Sequence, residues 1–530
     1  MKEKITLNKN RILFMATMVI GCFFRLFYIG NIPGNRNVYV DEAICGYEAW
    51  SLVNYGYDYY GYPLPVYLPS WDSGQSLLQA LCQMPFVKLF GLNSFAIRLP
   101  AAILGCVTLY AFYYICKKIK DEEFAIFALF ILSVMPWHIM QSRWSMDCNF
   151  YCGVITIAFA LLIKACEDKR FLPISFVVLG LSLYAYALPW TIMPILVLGI
   201  TAYLVYMKKI RIDKYLVISY IILALLALPL MLFVLVNLDI IPEIVTPLFS
   251  IPRLGAFRSD EIILSAKDVI KNTYRSINCF ITQDDGLVQD VTPMFGLFYK
   301  FSNIIILIGI AHSFINFWNN RKRNVQYEFM FLLLFVLSLF IASTTEVSFY
   351  RMNMILIPLT YFLADGLYAI IDIAKSYSKQ IVIFIYSVSC LCFLIYYVAF
   401  QDDILADVYK DGLSYALDYV HKLKDSDTVS ESATVHIISD ISFVSVLFIE
   451  NYPTDKYLEE VVYEDRDVTG LNELAKSFGY YEFYYNYSKE SEYIDGDVYI
   501  CDSRDYELVD YLESQGMELS WFSNVVVAVN

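Results

Sequence analysis

Charged residues are scarce in this chain. Of its 530 residues only 17% are charged, whereas 58% are hydrophobic, and the apolar residues recur in runs as long as a bilayer crossing. A soluble domain of this size does not need so apolar a composition. The shortage of charge therefore argues against an ordinary soluble protein and predicts a polytopic α-helical membrane protein.

Several familiar sequence signatures are also absent. The 12 cysteines show neither C-x-x-C nor Cys/His metal spacing, so we interpret most of them as small core hydrophobic residues. Neither a G-x-G-x-x-G fingerprint nor a Walker loop occurs, which argues against a nucleotide site. No small-x-small cleavage site follows the first apolar run, so we expect that run to be a membrane span. No metal site is predicted, although a need for a divalent metal stays open.

Negative charge is concentrated in the last quarter of the chain. Residues 401–530 hold 28 acidic and 8 basic residues, a net charge of −20 within a total of −14. We therefore predict a transmembrane domain over 1–400 and an acidic α/β domain over 401–530. Nucleic acid is not expected as a partner of so acidic a domain. Its predicted helices and strands cover 412–423, 435–439, 497–501, 506–513 and 524–529.

Clusters of lysine and arginine determine the expected topology. Such clusters favour the cytoplasmic side, and here they are separated by apolar runs that come in pairs. Segment 76–90 is apolar but short and polar in places, so we predict a helix lying at the outer surface. The protein is then a multi-pass plasma-membrane protein with a cytoplasmic N-terminus, an extracytoplasmic C-terminal domain, and large outer loops over 31–95 and 237–300. The predicted spans, about eleven, are 12–30, 96–116, 124–141, 149–166, 171–188, 190–207, 215–236, 301–318, 327–343, 353–373 and 380–399.

An acidic pair, Asp41 and Glu42, lies in the first predicted outer loop. Carboxylates at a membrane surface are costly unless water or a cation reaches them. Two of them among apolar and aromatic residues indicate a site that takes a proton or holds a metal. The alternative is a solvated loop or a helix N-terminus, where an acidic residue is favoured.

Five segments of the chain occur in an order that is similar to a known group of enzymes. They are the loop with Asp41 and Glu42, 89–100, 142–149, 251–254 with 284–286, and 349–353. With them the chain resembles the membrane glycosyltransferases of the GT-C class, close to the protein O-mannosyltransferases and aminoarabinose transferases. More narrowly, it resembles the bacterial dolichyl-phosphate-mannose-protein mannosyltransferase-like proteins of glycosyltransferase family 39. The resemblance extends over nearly all of the membrane body.

The resemblance implies a GT-C fold and a glycosyltransferase (hexosyltransferase) activity. A sugar would pass from a polyprenyl-phosphate donor to a hydroxyl acceptor on the outer face of the membrane. In that family the acid of the first outer loop acts at the reaction centre, and it maps to Asp41, with Glu42 beside it. One departure concerns donor binding: relatives carry a basic residue before the surface helix, whereas residues 73–76 of this chain hold none.

The outward-facing polar residues contain the parts that such a transfer needs. A carboxylate can remove the proton of the attacking hydroxyl, and we predict Asp41, Glu42 and Asp147 as the catalytic acids. Arginine stabilises a leaving phosphate through paired N–H groups, and the predicted donor ligands are Arg351, Arg143 and Arg98. Four of them have a structural alternative: helix capping for Asp41, pairing with Arg143 for Asp147, and snorkelling at the interface for Arg98 and Arg351.

Two other functions are consistent with the sequence. A transporter or flippase of lipid-linked sugars would need polar residues within the spans and repeat symmetry, whereas the spans are mostly apolar and no repeat is visible. A non-catalytic scaffold for envelope polymers would tolerate the loss of Asp41. The sugar, the acceptor (a protein, a glycolipid or a cell-wall polymer), the metal requirement and the oligomeric state stay open.

Overall fold

The computed structural model describes residues 2–34, 37–70, 73–257, 263, 265–320, 325–375, 377–399, 401–438, 441–464, 474–485 and 496–530. Within these residues the chain is mainly helical, with short strands near its C-terminus. The helices are α1 Lys2–Leu26, α2 Val40–Tyr55, α3 Leu77–Phe90, α4 Ser94–Ile119, α5 Glu122–Val134, α6 Pro136–Gln141, α7 Asp147–Ala165, α8 Phe171–Ser182, α9 Met193–Tyr206, α10 Lys214–Asn237, α11 Ala266–Thr282, α12 Asn303–Asn320, α13 Phe329–Thr344, α14 Leu356–Ala374, α15 Ser378–Ala399, α16 Gln401–Tyr409, α17 Leu413–Asp425, α18 Phe443–Glu450, α19 Thr454–Glu460 and α20 Tyr506–Ser514. The strands are β1 Ile244–Val245, β2 Ser250–Ile251, β3 Val435–Ile438, β4 Val462–Tyr463, β5 Ala475–Phe478, β6 Tyr481–Tyr484, β7 Val498–Asp502, β8 Glu518–Phe522 and β9 Val525–Val529.

The chain divides into two compact units. The helical unit comprises Met1–Phe27, Leu99–Leu232 and Arg258–Tyr397, and the mixed unit comprises Tyr28–Arg98, Phe233–Phe257 and Val398–Asn530. We predicted one boundary, at residue 400. The mixed unit instead contains two further segments, Tyr28–Arg98 and Phe233–Phe257, in addition to the C-terminal residues. The prediction placed both segments in the transmembrane domain. The helix with the acidic pair therefore belongs to the same compact unit as the C-terminal domain.

Apolar helices dominate the helical unit, and the polytopic membrane class is confirmed. Among the described residues, six helices are long and apolar enough to cross a membrane. They are Ser94–Ile119, Asp147–Ala165, Lys214–Asn237, Lys300–Asn320, Asn353–Ala374 and Ser378–Ala399. Helices α3, α8, α9 and α13 are apolar but shorter. The total of about eleven spans stays a prediction, as does the position of α3 at the membrane surface.

The predicted span over 124–141 is interrupted, because α5 ends at Val134 and α6 begins at Pro136. Met135, between the two helices, has extended backbone with φ −74° and ψ 129°. A residue before proline is sterically kept out of the helical region, and proline at the first position of a helix loses no hydrogen bond. The break leaves a short α6 directly before the loop with Arg143.

Helices α12 and α14 approach each other through glycines. A Cβ atom at Gly309 would lie 1.8 Å from the carbonyl oxygen of Phe362, and one at Gly366 would lie 2.4 Å from that of Ile305. Both distances are far below van der Waals contact, so a side chain at either position would push the helices apart. Small residues at a crossing are a general means of packing helices in membranes.

The mixed unit contains a seven-stranded sheet in the order β4-β5-β6-β3-β7-β9-β8. Strands β6, β3 and β7 run parallel, and the outer neighbours pair antiparallel. Strands β3, β7 and β9 are buried along their whole length, as expected of central strands covered on both faces. The α/β class predicted for the C-terminal residues is confirmed, and β3, β7, β9, α17 and α20 lie where periodicity placed them.

Helix α2 packs within the mixed unit against α3, α18 and α19. The hydroxyl of Tyr47 donates to the carbonyl oxygen of Tyr452 at 2.6 Å. A Cβ atom at Gly46 would lie 2.8 Å from the Ile97 side chain and 3.0 Å from that of Phe448, so this turn of α2 tolerates only glycine without rearrangement. The C-terminal domain thus fixes the helix that begins with the acidic pair.

Candidate functional site

The acidic pair lies in the first turn of α2, whereas the prediction placed it in a loop. Tyr39 is extended, with φ −61° and ψ 149°, and α2 starts at the next residue. Its N–H donates to Oε2 of Glu42 at 3.1 Å, which satisfies a backbone donor that the helix itself leaves open. Glu42 is completely buried, while Asp41 is partly exposed. The two neighbouring carboxylates therefore occupy different environments.

Glu42 forms a buried ion pair with Arg98, which lies in the first turns of α4. The Arg98 Nε donates to Oε1 at 2.9 Å and Nη2 donates to Oε2 at 2.8 Å. Both side chains are 0% exposed. Two parallel N–H···O bonds fix the relative orientation of a guanidinium and a carboxylate. This pair holds the first turn of α2 at a defined position.

The other N–H groups of Arg98 bind backbone carbonyl oxygens. Nη1 donates to Pro33 at 2.7 Å and to Ile29 at 3.4 Å, and Nη2 donates to Asn37 at 3.2 Å. The guanidinium also lies 5.8 Å from the ring centre of Tyr409. All five N–H bonds of Arg98 thus have acceptors inside the protein. The prediction made it a donor-phosphate ligand; the structure makes it the residue that holds the connection before α2.

Arg143 binds the end of α1 within the helical unit. Its Nη1 donates to the carbonyl oxygens of Phe24 at 3.0 Å and Phe27 at 2.8 Å. The last carbonyl groups of a helix lack partners within the helix, and a basic side chain often supplies them. Arg143 is 4% exposed. The role of Arg143 as a phosphate ligand stays a prediction, and at least one of its nitrogens serves as a helix cap.

Asp147 is the first residue of α7 and is partly exposed. Its Oδ1 accepts a hydrogen bond from the N–H of Cys148 at 2.6 Å. A carboxylate at this position is favoured by the partial positive charge of the helix N-terminus. Its role as a site acid stays a prediction.

Arg351 lies in the connection between α13 and α14. It forms an ion pair with Glu346, and its guanidinium lies 5.3 Å from the ring centre of Tyr350. The Arg351 side chain is 17% exposed and that of Glu346 is 78% exposed. The partner is therefore a well-hydrated carboxylate, which an anion that binds Arg351 more strongly could replace.

Polar side chains hold the Arg351 connection at three points. Asp285 accepts the N–H of Phe349 at 2.7 Å, and Asn353 Nδ2 donates to the carbonyl oxygen of Cys148 at 2.6 Å. The Cys152 thiol donates to the carbonyl oxygen of Asn353 at 3.1 Å. Three of the segments on which the resemblance rests, 142–149, 284–286 and 349–353, thus meet inside the helical unit. Sequence reasoning grouped them by order and did not identify these bonds.

A second pair of buried acids, Glu48 and Asp58, was missed from sequence. Both are 0% exposed. Asp58 Oδ1 accepts the N–H groups of Tyr60 at 3.0 Å and Tyr62 at 2.7 Å. Burial, and then the charge of Asp58, raise the pKa of Glu48 well above its ordinary value, and the N–H of Tyr59 offsets this only in part. The sequence signal that was available is Glu48 itself, a single acidic residue among the apolar and aromatic residues in the middle of α2.

We expect replacement of Glu48 by glutamine to stabilise the protein above pH 7. A raised folded-state pKa means that folded Glu48 keeps a proton that the unfolded chain releases above its ordinary value of 4.5. Stability is then lost as pH rises from 4.5 through the folded-state pKa. The amide cannot ionise, so the variant should keep its stability over the pH range in which the parent loses it. Thermal unfolding in detergent between pH 5 and 9 measures the effect. The matched change Glu459→Gln on the exposed side of α19 should follow the parent; equal pH profiles of parent and Glu48→Gln would contradict the expectation.

A buried arginine in α1 was likewise not assigned a contact from sequence. Arg25 Nε donates to Nδ1 of His138 at 3.0 Å, and Nη1 donates to the carbonyl oxygens of Gly21 at 2.7 Å and Ser133 at 3.3 Å. Arg25 is 0% exposed. Buried ionisable residues of membrane proteins are held by such polar partners. Arg25 therefore connects α1 to α5 and α6 in the helical unit.

No group of three or more His, Cys, Asp or Glu residues that could hold a metal ion occurs in the part of the chain that the structure describes. The two predicted acids of the mixed unit, Asp41 and Glu42, are adjacent, and one of them is bound by Arg98.

Residues 75–236 match a protein family described as dolichyl-phosphate-mannose-protein mannosyltransferase. The match includes Arg98, Arg143 and Asp147, and the segments with Asp41 and Arg351 lie outside it. No curated protein matches the chain in sequence.

The whole chain is similar in architecture to solved membrane enzymes. The structure of ArnT from Cupriavidus metallidurans bound to undecaprenyl phosphate has 12% sequence identity and a TM-score of 0.55, over 98% of this chain and 97% of that one. ArnT in the apo state gives 12% identity and a TM-score of 0.53, over 99% and 98%. The Archaeoglobus fulgidus oligosaccharyltransferase in the apo form gives 12% identity and a TM-score of 0.49, over 84% and 64%.

The sequence match covers the α3–α10 region, and the ArnT structures share the fold from end to end. Both agree with the resemblance drawn from the five segments. The chain therefore has the fold of the GT-C membrane glycosyltransferases, and residues 75–236 match one of their families.

Proposed function

We propose that this enzyme transfers a sugar from a polyprenyl-phosphate donor to a hydroxyl acceptor at the outer face of the plasma membrane. The observation that carries the proposal is the partly exposed Asp41, which the buried Glu42–Arg98 pair holds at the start of α2. The family description names a dolichyl-phosphate-linked sugar, and ArnT was solved with undecaprenyl phosphate. Both support a lipid-phosphate donor for this chain. The proposal specifies the acceptor only by its hydroxyl group, and it covers a protein, a glycolipid and a cell-wall polymer alike.

Asp41 acts as the general base in this proposal. The acceptor oxygen attacks the anomeric carbon, the bond from that carbon to the phosphate oxygen breaks, and the hydroxyl proton passes to Asp41. General base catalysis of this kind contributes typically about 10²–10⁴-fold. Glu42 and Arg98 act as positioning residues, since both are saturated by each other and by backbone groups. A buried bidentate pair next to the base limits its motion.

The leaving phosphate needs a cation, and Arg351 is the residue we assign to it. Its present partner Glu346 is largely hydrated, so the exchange of a carboxylate for a phosphate costs little desolvation. Arginine offers a planar pair of donors that fits phosphate oxygens. Asp147 lies at the start of α7, to which Asn353 ties the Arg351 connection, and we assign it to the same side of the reaction. Arg143, in the loop before α7, binds the carbonyl groups at the end of α1 and so fixes the start of this region.

The proposed orientation follows the basic residues. The lysines at the end of α4, Lys117 and Lys118, and those at residues 208, 209 and 214 would lie in the cytoplasm. The N-terminus then lies inside, whereas α2 and the C-terminal domain lie outside. That side is where a lipid-linked sugar meets an envelope acceptor.

We expect Arg351→Ala to raise the KM for the lipid donor by about tenfold, because a charge-assisted bond to a phosphate contributes about 1.5–3 kcal/mol. The KM for the acceptor should change much less. Initial rates with either substrate varied in turn measure both constants. Glu346→Gln is the matched control: it removes the partner, keeps the arginine, and should leave the donor KM equal or lower. An unchanged donor KM in Arg351→Ala would remove Arg351 from the donor site.

The function itself is tested with the purified protein in nanodiscs and a panel of polyprenyl-phosphate sugars. Release of polyprenyl phosphate that depends on an added hydroxyl acceptor supports the transferase and identifies the donor. Failure with every donor would contradict the proposal. Movement of the intact donor across proteoliposome membranes, without cleavage, would assign the protein to the flippases.

A further inference from the structure

Helix α11 presents its apolar side away from the protein. Its largest apolar residues are widely exposed: Ile270 is 71%, Tyr274 72%, Ile277 53% and Ile281 64% exposed. The spacing of three and four residues places them in one stripe along the helix. We call these four residues the apolar stripe. A stripe of this kind in contact with water would be unfavourable by several kcal/mol, so it implies an apolar partner.

The opposite side of α11 is polar and buried. Asn272 Nδ2 donates to the carbonyl oxygen of Ala342 at 3.2 Å and also binds that of Thr345. The hydroxyl of Ser276 donates to the carbonyl oxygen of Ala342 at 2.6 Å. These carbonyls belong to the end of α13, where a helix leaves acceptors open. The polar side is thus occupied by the protein, and the apolar stripe is turned outward.

The middle and the C-terminal end of α11 are attached to different helices. Asn272 binds the end of α13, and Asn303, the first residue of α12, donates to the carbonyl oxygen of Ile281 at 2.7 Å. Nine residues of helix separate these points, roughly 13 Å. The end of α13 and the start of α12 therefore lie at the same end of the bundle. Helix α11 is bound at both points, which is the arrangement expected of a helix that runs across the spans at the membrane surface.

Basic residues follow one flank of the apolar stripe. Lys267, Lys271 and Arg275 are exposed, and at 100° per residue they lie within about a quarter turn of one another, on the same flank. Asp268 is the one acidic residue of α11, which gives the helix a charge of +2 in a chain of −14. Positive charge beside an apolar stripe is the pattern of helices that bind anionic lipid surfaces.

We propose that α11 lies in the membrane interface, with the apolar stripe in the acyl boundary and its basic flank on anionic lipid headgroups. The neighbouring α13 also exposes large apolar side chains, since Val336 is 48% and Phe340 56% exposed. We assign lipid as the partner because α13 is an apolar helix within a predicted span, so its exposed side chains would face the bilayer. This inference concerns membrane seating and is independent of the reaction assigned to the enzyme.

The full-length protein in nanodiscs tests the proposal. A fluorescent amino acid is placed by codon reassignment at Ile277, in the stripe, or at Arg275, on the flank about 160° away on the same turn. The discs contain phosphatidylcholine with or without bromine on the acyl chains. We expect brominated lipid to quench the probe at Ile277 several times more than the probe at Arg275, and acrylamide in the buffer to show the reverse order.

The lipid charge provides the second arm. Replacing part of the phosphatidylcholine by phosphatidylglycerol should increase bromine quenching at Ile277, and the triple variant Lys267→Gln, Lys271→Gln, Arg275→Gln should lose that increase. Strong acrylamide quenching at Ile277 would place the stripe in water and overturn the proposal. Protection from both quenchers would place it against protein, a second copy or another chain, and would overturn it as well. No response of the parent to phosphatidylglycerol would refute the anionic headgroup contact.

Discussion

Replacing Asp41 by asparagine should lower sugar transfer by about 10²–10⁴-fold, the usual contribution of a general base. The amide has the shape of the carboxylate but cannot accept the proton of the attacking hydroxyl. The fold should persist, because Asp41 is partly exposed and the first turn of α2 is held by Glu42 and Arg98. Initial rates of polyprenyl-phosphate release in nanodiscs, at saturating donor, measure the effect.

The matched control is Asp268→Asn, the same change at an exposed acid in the first turn of α11. It removes a favourable helix-dipole interaction of about 0.3–1 kcal/mol and should leave transfer unchanged. If Asp41→Asn retained more than about a tenth of the parent rate, well above the range for a lost base, Asp41 would be assigned to the helix N-terminus alone. The proposed mechanism would then need another base, with Asp147 the next to test.

Much of the fold was predictable because it depends on local patterns. Apolar runs of bilayer length predicted the helical membrane class, and alternation in the C-terminal residues predicted β3, β7 and β9. The division into units was not predictable in the same way. Helix α2 packs on α18 and α19, about 400 residues later in the chain, and the Tyr47–Tyr452 bond leaves no local signal in either segment.

The candidate site was predictable in its residue types and less so in their roles. The position of Arg98 at the start of α4 indicated an outward-facing cation, but its acceptors are backbone carbonyls at Ile29, Pro33 and Asn37. Carbonyl groups exist at every residue, so no pattern identifies them before folding. The acceptors of Arg143, at the end of α1, are also backbone carbonyl groups and were not predictable for the same reason. Sequence reveals which side chains can carry charge, whereas the fold decides which charges are already bound.

The largest expected loss of stability follows from Arg98→Met. Removal of the guanidinium leaves Glu42 as an uncompensated buried carboxylate and takes the donors away from three carbonyl groups. Breaking one side of a buried ion pair typically costs about 3–5 kcal/mol. We therefore expect a fall of that size in the free energy of unfolding in detergent. Arg253→Met, which removes an exposed pair with Asp239, should cost less than about 1 kcal/mol.

A double-mutant cycle separates the ion pair from the carbonyl contacts. Glu42→Leu alone leaves the charge of Arg98 buried, and Arg98→Met combined with Glu42→Leu removes both charges. The double variant should lose less stability than the sum of the two single losses. Each single variant leaves one unpaired charge buried, whereas the double variant leaves none. It should still be less stable than the parent, because the carbonyl groups of Ile29, Pro33 and Asn37 remain without the donors that Arg98 supplied. A double variant as stable as the parent would show that the carbonyl contacts contribute nothing. Additive losses would show that Glu42 and Arg98 do not act as a pair, and would remove the anchor that the proposed base requires.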